Sequence, residues 1–368
     1  MKKYKVCHIT TVHPEDDNRI FYKQCRSLAA AGFKVYFMCS GSTTCIKDDI
    51  QIIGLAKYSN RILNFIRCSV VDVIKTSIRL NADIYQIHDP ELVFSGIFLR
   101  LIGKKVIYDI HEDNSSSILS KPYFKSTLFA QFISWLVNIF EKICVLFFSQ
   151  VITARPDITE KFQFVHPITV NNFPIVENLL PNKAKNNLDK TILIYVGGIT
   201  KIRGILELIQ SLEYLTDTEL WLLGPWESKS FNLTCEQLPG WKKTRYLGTV
   251  KPFEIFEYLQ QADIGIITFW PVPNHLKTLA NKPFEYMLAG LPVVMSNFPY
   301  WQSFFGKVAK YANPKDPKSI AEGIKSLKNN PELRQELGNN GRLLVQEKLN
   351  WNVESQKLIE LYKSLITL

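Results

Sequence analysis

Apolar residues along the chain form short continuous runs that alternate with longer segments in which they recur every three or four positions. Short runs of this kind predict buried strands of a parallel sheet, and the longer amphipathic segments predict helices that cover its faces. In the first half, strands are predicted at residues 6–12, 34–38, 84–87, 105–110 and 151–153, with helices at 20–31, 62–80, 92–101 and 128–148. The alternation predicts a doubly wound α/β domain.

The alternation stops near residue 175 and resumes at residue 191. The intervening residues, 176–190, are rich in Asn, Pro and Lys and lack periodicity, which is typical of a linker. Beyond it, strands are predicted at residues 191–196, 219–223, 244–247, 263–268, 292–295 and 307–311, with helices at 205–215, 252–261, 282–289, 318–329 and 331–348. We therefore predict two Rossmann-like domains, residues 1–175 and 191–350, which face each other across a cleft lined by the loops that follow the strands.

The net charge indicates what kind of partner the protein binds, and the cysteine content indicates in which cellular compartment it works. The chain carries 44 Lys and Arg residues against 34 Asp and Glu residues, a formal net charge of +10, which favours an anionic partner such as a phosphorylated ligand or a membrane surface. The cations are spread along the chain rather than gathered in a block, so nucleic acid is not a predicted partner. Seven cysteines without a CxxC pair argue against a disulfide framework, and the start of the chain lacks a signal-peptide pattern, so we predict a cytoplasmic location.

The segment at residues 128–148 is unusually apolar. Five polar residues interrupt it at roughly helical spacing, namely Gln131, Ser134, Asn138, Glu141 and Lys142. One interpretation is a helix buried between the sheet and its neighbours. The other is an interfacial helix, flanked by Lys121 and Lys125, that attaches the protein to the anionic inner face of a membrane. Because no run of about 18 uninterrupted apolar residues occurs, no transmembrane helix is predicted.

A glycine-rich turn follows the strand predicted at residues 191–196 and has the sequence GGITKIRG from Gly197 to Gly204. Glycines let a backbone approach a phosphate closely, and Lys201 and Arg203 add positive charge beside it. The spacing differs from the GxGxxG dinucleotide fingerprint. The alternative interpretation is a tight connection between strand and helix with solvated charges.

A second segment, residues 281–294, predicts a short helix that ends at Gly290 and leads into an apolar strand. Lys282 and Glu285 lie on one face of this helix, close to its start. A carboxylate there could accept hydrogen bonds from two vicinal hydroxyls, as a ribose presents them, and the ammonium could meet a phosphate. The alternative is an ordinary Lys–Glu pair on the surface.

The second segment resembles the donor-site signature of glycosyltransferase family four, a K-x-x-E-Y-M-A-x-G-x-P-V-V pattern, and Gly198 to Gly204 resembles the strand-end glycines of that family. The resemblance implies a GT-B fold, a nucleotide-diphosphate sugar as co-substrate and retention of the anomeric configuration, with residues 351–368 crossing back to the N-terminal domain. It further implies that Arg203 and Lys282 grip the diphosphate and that Glu285 holds the ribose. The implied donor-site residues are Gly198, Thr200, Lys201, Arg203, Lys282, Phe284 and Glu285.

One position departs from the family. A second Glu often stands eight residues before the conserved one, whereas this sequence has Lys277 there. Contacts to the donor sugar are therefore expected to differ. The D-x-D metal motif of the other major glycosyltransferase fold is absent, so metal-independent transfer is predicted.

Three segments of the N-terminal half also resemble family segments: residues 10–21 resemble a subgroup in which His13 and Arg19 could face the cleft, and residues 88–91 and 108–113 resemble segments that face the donor. Residues 10–21 bring His13 and Arg19, residues 88–91 begin with His88, and residues 108–113 include His111. A histidine at the carboxyl end of a strand can donate to a developing anion, so His111 is the leading catalytic candidate. For the first segment, the alternative is that Asp16 or Asp17 caps the helix and pairs with Arg19. No H-x-x-H or H-E-x-x-H spacing occurs, so no metal site is predicted.

The sequence thus favours a retaining hexosyltransferase that moves a sugar from a nucleotide-diphosphate sugar to a glycan or lipid-linked acceptor in cell-surface polysaccharide synthesis. Arg203, Lys282, Glu285 and His111 are the candidate catalytic residues. Two alternatives stay open, a sugar-nucleotide epimerase and a non-catalytic subunit that binds sugar nucleotides. Hydrolysis or transfer from a panel of nucleotide sugars separates the three.

Overall fold

A computed structural model of the chain describes residues 3–119, 127–176, 190–276 and 279–367, which divide into two compact units. Unit 1 comprises Met1–Asn172 together with Trp351–Leu368, and unit 2 comprises Phe173–Asn350. Most of the expected linker, and Lys277, lie outside the described residues.

The sheet of unit 1 has eight strands. They are β1 (Lys5–Thr10), β2 (Lys34–Ser40), β3 (Cys45–Lys47), β4 (Ile50–Leu55), β5 (Ile84–Ile87), β6 (Lys105–Ile110), β7 (Gln150–Thr153) and β8 (Ile168–Thr169). Their order in the sheet is β3-β4-β2-β1-β5-β6-β7-β8, and every pair of neighbours is parallel except β3 and β4. The loops that follow β1, β5 and β6 therefore leave the sheet at one edge.

The helical segments of unit 1 are Asn18–Cys25, Arg26–Ala30, Arg61–Leu63, Asn64–Asp72, Val73–Leu80, Pro90–Leu92, Val93–Leu101, Asn114–Leu119, Thr127–Cys144, Val145–Phe147, Pro156–Lys161, Gln163–Val165 and Trp351–Thr367. Asn18–Cys25 and Asn64–Asp72 have π-helical hydrogen bonding. Each continues directly into an α-helix, so the structure keeps the two long helices that the pattern predicts there.

The hairpin of β3 and β4 is absent from the sequence prediction. Its turn places Asp48 and Asp49 at φ values of 54° and 60°, the left-handed region in which hairpin turns usually carry Gly or Asn. Since two consecutive aspartates are a weak turn signal, the short strands on either side were not recognised.

Unit 2 has a six-stranded, all-parallel sheet. Its strands are β9 (Thr191–Val196), β10 (Thr218–Leu223), β11 (Thr244–Gly248), β12 (Ile264–Ile267), β13 (Val293–Ser296) and β14 (Lys310–Ala312), in the order β11-β10-β9-β12-β13-β14. Its helical segments are Lys201–Arg203, Ile205–Ser211, Leu212–Tyr214, Lys229–Glu236, Pro239–Lys243, Pro252–Gln261, Pro273–Leu276, Asn281–Leu288, Pro299–Phe305, Gly306–Val308, Pro317–Lys328 and Pro331–Glu347. All six predicted strands are present, with ends shifted by up to three residues.

Helix Thr127–Cys144 has its apolar face towards the outside of unit 1, so the expectation that it is buried is wrong. Leu128 is 77% exposed and Ile143 is 53% exposed, whereas Glu141 is 6% exposed. The polar side of the helix faces the protein, because Lys161 Nζ lies 2.8 Å from Glu141 Oε2 and Ser134 donates to the Ser115 carbonyl. This orientation reverses the usual arrangement of an amphipathic helix. By length and composition alone, Leu128–Phe147 would also suffice to cross a membrane.

Candidate functional site

Two cations meet at the end of β9 in unit 2. Gly197 has a φ of +126°, and a Cβ built on it would overlap the end of the Lys282 side chain, with Nζ only 2.6 Å away. A Cβ on Gly198 would lie 3.0 Å from Arg203 Nη1, which donates to the Gly198 carbonyl at 3.0 Å. The two glycines thus allow both cationic side chains to lie against the backbone. We call Gly197, Gly198, Arg203 and Lys282 the cation corner.

Gly204 fixes the course of the chain after Arg203. Its φ is +69°, and a Cβ there would overlap the carbonyl of Thr268, so a larger residue would push the turn away from β12. The Arg203 guanidinium in turn lies 5.7 Å from the centre of the Phe269 ring. The turn therefore holds Arg203 in a defined position beside Gly198.

The cation corner carries unbalanced positive charge. Burial and, to a smaller extent, the neighbouring Arg203 lower the pKa of Lys282 to about 8, against the opposing effect of Glu285. Repulsion between like charges is relieved when an anion binds between them. The corner is therefore chemically suited to a phosphate group, with a forked donor from Arg203 and a point charge from Lys282.

The other residues predicted for the donor site differ in their burial and in their contacts. The Thr200 hydroxyl is buried and has no hydrogen-bond partner among the described residues. Lys201 is exposed, with its ammonium 5.7 Å from the Trp270 ring centre. Glu285 is half-buried and contributes to the electrostatics of Lys282.

Phe284 is a core residue, contrary to its predicted place in the donor site. Its side chain is 1% exposed and packs against Phe173 and Phe305, with ring centres 4.8 and 5.5 Å away. In the helix Asn281–Leu288 it lies between Lys282 and Glu285 in sequence but points into the interior. The family signature at this position therefore reflects packing.

Asp109, at the end of β6 in unit 1, is buried and accepts hydrogen bonds from four side chains. Arg19 Nη2 donates to Oδ1 at 2.8 Å, and Gln24 and Gln86 donate to Oδ2 at 2.6 and 3.2 Å. His111 Nε2 lies 3.1 Å from Oδ2. Burial alone would raise the pKa of Asp109, but Arg19 and His111 hold it well below its usual range. Asp109 is therefore a carboxylate that can only accept.

A row of histidines connects this carboxylate to the last helix. The side-chain NH2 group of Gln86 donates to Asp109, and this orients Gln86 Oε1 towards Tyr362. The Tyr362 hydroxyl donates to Gln86 Oε1 at 2.6 Å. The Tyr362 oxygen is then left to accept from His8 Nε2 at 3.3 Å. His8 Nδ1 in turn lies 3.0 Å from His88 Nε2, and His88 Nδ1 lies 3.2 Å from His111 Nε2.

These contacts favour one set of tautomers for the three rings. Burial lowers the pKa of both His8 and His88, so both are neutral and each has one donor and one acceptor nitrogen. Because His8 donates to Tyr362, His88 donates to His8, and His111 Nε2–H points at His88 and Asp109. The Nδ1 atom of His111 has no partner among the described residues, and the ring is 15% exposed. A histidine oriented by a carboxylate in this way is suited to acid–base work.

The loop after β1 adds a second, more exposed histidine. His13 Nδ1 lies 3.3 Å from Asp17 Oδ2, which raises the pKa of His13, and Nε2 lies 3.5 Å from Asp89 Oδ1. Its ring is 5.4 Å from that of His111. Asp17 caps the helix as the alternative expected, but Arg19 pairs with Asp109 rather than with Asp16 or Asp17.

One ligand atom each from His88, Asp109 and His111 lies within 4.8 Å of the others, a spacing that could hold a metal ion. In this structure His111 Nε2 is hydrogen-bonded to His88 Nδ1 and to Asp109, and Asp109 also accepts from Arg19, Gln24 and Gln86. The hydrogen-bond network accounts for their proximity.

Sequence reasoning found Arg19, His88 and His111 but missed His8, Gln24, Gln86 and Tyr362. His8 and Gln86 are polar residues inside otherwise apolar strands, which is a usable signal for a buried network. Tyr362 joins through a contact 354 residues away in sequence, and no local pattern indicates that.

Comparison with known proteins agrees with this architecture. Residues 177–344 match the family described as Glycosyl transferases group 1. A capsular polysaccharide biosynthesis glycosyltransferase, CapM of Staphylococcus aureus, is 26% identical over 211 residues, 54% of this chain and 53% of that protein. The chain spans about half the length of the curated relatives that it matches.

Solved structures resemble the chain over its whole length. Sucrose-phosphate synthase from Thermosynechococcus elongatus aligns with a TM-score of 0.77 at 16% identity, covering 99% of this chain and all of that one. Anabaena HepE, solved in complex with UDP and glucose, aligns with a TM-score of 0.71 at 12% identity, covering 98% of this chain and all of that one. The predicted GT-B fold is confirmed, and the match to the group 1 glycosyltransferases lies in the C-terminal half of the chain.

The pKa of Lys282 predicts pH-dependent anion binding. The ammonium is charged below about pH 8, so the affinity for inorganic pyrophosphate should fall by about tenfold or more between pH 7 and 9.5. Lys282→Arg stays charged over this pH range, so any change in its affinity reports the ionisation of pyrophosphate alone. Calorimetric titration measures the affinity of the wild-type protein and of the variant for pyrophosphate at each pH. Parallel pH profiles for the two proteins would contradict the assignment of Lys282 to the anion site.

Proposed function

We propose that this chain, which has a GT-B fold and matches the group 1 glycosyltransferases over residues 177–344, is a retaining hexosyltransferase using a nucleotide-diphosphate sugar. The observation that carries the proposal is the cation corner, where Arg203 and Lys282 lie against two glycines at the end of a strand. Ligands of doubly wound folds bind at such strand ends. The presence of UDP and glucose in the HepE structure supports a donor of this class.

In the proposed donor site, Arg203 and Lys282 hold the diphosphate and Glu285 accepts hydrogen bonds from the ribose hydroxyls. When the bond between the anomeric carbon and the phosphate oxygen breaks, that oxygen keeps the electron pair and the nucleotide diphosphate gains negative charge. Two fixed cations stabilise this charge without reorganisation. We therefore propose transfer that needs no metal ion.

Retention requires the acceptor oxygen to attack the anomeric carbon on the face that the phosphate leaves. The departing phosphate oxygen can take the acceptor proton, so the step needs no carboxylate pair of the kind that retaining glycosidases use. His111 Nδ1 would then accept a hydrogen bond from a hydroxyl group of the transferred sugar. Its ring is oriented by Asp109 and has one nitrogen available, which supports that role.

Transfer from a panel of nucleotide-diphosphate sugars tests the proposal directly. Arg203→Ala should lower turnover by about 100-fold or more, and Arg203→Lys should recover part of it, because lysine keeps the charge but loses the fork. Arg245→Ala, an exposed arginine of the same unit, is the matched control and should be unaffected.

The same assay separates the alternatives. A product with the donor's anomeric configuration, formed in excess chelator, is the expected result. Conversion of the donor to an epimer would indicate an epimerase, and binding without turnover would indicate a non-catalytic subunit. Loss of activity in chelator that magnesium or manganese restores would contradict the metal-free mechanism.

We further propose that the acceptor is a glycan or lipid-linked saccharide and that the protein works at the anionic inner face of the cytoplasmic membrane. The outward apolar face of helix Thr127–Cys144 supports this location. It continues across two other helices, because the ring of Phe94 lies 6.0 Å from both Phe140 and Phe65. An apolar surface spread over three helices is more than a soluble monomer usually exposes.

Charge on this side of unit 1 matches an anionic bilayer. The exposed charged side chains of the described helices between residues 62 and 144 are all cationic, namely Arg67, Lys75, Arg79 and Lys142. The carboxylate of Glu141 faces the protein and pairs with Lys161. Each cation near an anionic surface adds about 1 kcal/mol of attraction.

Flotation with anionic liposomes tests the membrane location. The double variant Leu128→Ser/Ile143→Ser should lower partitioning at least tenfold, because each apolar side chain contributes about 1.5–3 kcal/mol when it leaves water. Leu343→Ser, an exposed leucine of unit 2, is the control. Partitioning that is unchanged in the double variant, or wild-type protein that stays entirely in solution at low salt, would contradict the proposal.

A further inference from the structure

Helix Thr127–Cys144 carries a polar row at the edge of its apolar face. Gln131, Trp135 and Asn138 lie at positions i, i+4 and i+7, so they follow one another along the same side of the helix. They line a cavity of about 320 Å³, which is completed by Ser134 together with Asp113, Ser115 and Lys161. The volume is at the lower end of the range for small-molecule sites.

The row consists of hydrogen-bonding groups that the protein does not use. Within the described residues, the side-chain amides of Gln131 and Asn138 and the indole N–H of Trp135 make no hydrogen bond. Each amide offers donors and an acceptor, and Trp135 offers a flat apolar surface with a donor at its edge. These groups suit a ring-shaped molecule with several hydroxyls.

The opposite wall sets the charge of the cavity. Lys161 Nζ lies 2.8 Å from both Asp113 and Glu141 and 2.9 Å from the Ser115 hydroxyl. One ammonium thus faces two carboxylates, so the described residues that line the cavity leave no positive charge for a phosphate. The cavity favours a neutral polyhydroxylated group, whose hydroxyls can donate to Asp113.

The surroundings of the cavity are apolar. Trp135 stacks on the exposed Phe132 with ring centres 6.1 Å apart, and Leu128 and Leu136 are exposed on the same helix. A molecule seated in the cavity therefore meets hydrogen-bonding groups at one end and an apolar surface at the other. Such a molecule is an amphiphile.

We propose that this cavity binds the saccharide head of an amphiphilic acceptor, with its hydrocarbon tail along the apolar face of the helix. Asp113 lies two residues after His111 in the loop that follows β6, so one loop carries both the cavity wall and the oriented histidine. That the bound saccharide is the acceptor rests on the proposed transferase function. The binding of a saccharide amphiphile does not.

Binding is measured by saturation-transfer NMR with octyl glycosides of glucose, galactose, mannose and N-acetylglucosamine, each below its micelle concentration. Octyl tetraethylene glycol has the same tail without a sugar. We expect at least one glycoside to bind more tightly than this control. Gln131→Ala and Asn138→Ala should each weaken glycoside binding about 3- to 10-fold, the effect of one lost hydrogen bond, without changing binding of the sugar-free amphiphile.

Gln356→Ala is the matched control, an exposed amide on the last helix of unit 1. The proposal is overturned if no glycoside binds more tightly than the sugar-free amphiphile, or if Gln131→Ala and Asn138→Ala weaken both ligands equally. Donor hydrolysis by the wild-type protein, assayed separately, tests the transferase function. Glycoside binding without donor hydrolysis would uphold the cavity and remove the acceptor role.

Discussion

A buried carboxylate, Asp109, sets the arrangement of polar groups inside unit 1. Its charge is balanced by Arg19, and removing one member of such a pair typically costs about 3–5 kcal/mol. Since the carboxylate can only accept, the amides of Gln24 and Gln86 and the imidazole of His111 are oriented as donors towards it. The ordering extends through Gln86 and Tyr362 to His8 and returns through His88 to His111. The network starts and ends at Asp109.

Two other features, the cation corner of unit 2 and the apolar helix Thr127–Cys144 of unit 1, have charged or apolar groups that the protein itself does not fully compensate. In the cation corner, burial and the nearby Arg203 guanidinium lower the pKa of Lys282. In helix Thr127–Cys144 the polar side is satisfied by Lys161 while apolar side chains face outward. Both features cost stability in the isolated protein, and the partners that we propose, a phosphate group and an anionic membrane, would relieve this cost. Departures from local folding rules of this kind are expected at functional sites.

Much of the fold could be predicted from sequence because parallel sheets leave a clear apolar pattern, as β6 and β9 show. The cation corner could also be predicted from sequence, because Arg203 and Lys282 belong to a recognisable family signature. The features that could not be predicted depend on the direction in which side chains point and on contacts between residues far apart in the sequence. A helical wheel shows that residues 128–148 have two faces but not which one meets the protein, and the signature does not reveal that Phe284 points inward. Tyr362 reaches His8 only through the tertiary fold.

The tautomer of His111 tests most directly whether Asp109 orders this network. Two-bond proton–nitrogen NMR spectra of histidine-labelled protein report which ring nitrogen carries the proton for each of the six histidines. The network predicts that neutral His111 carries it on Nε2. It also predicts that Tyr362→Phe, which removes the acceptor of His8 but leaves Asp109 in place, changes the tautomer of His8 and leaves that of His111 unchanged. A wild-type His111 with its proton on Nδ1, or a His111 tautomer that changes in Tyr362→Phe, would contradict the account.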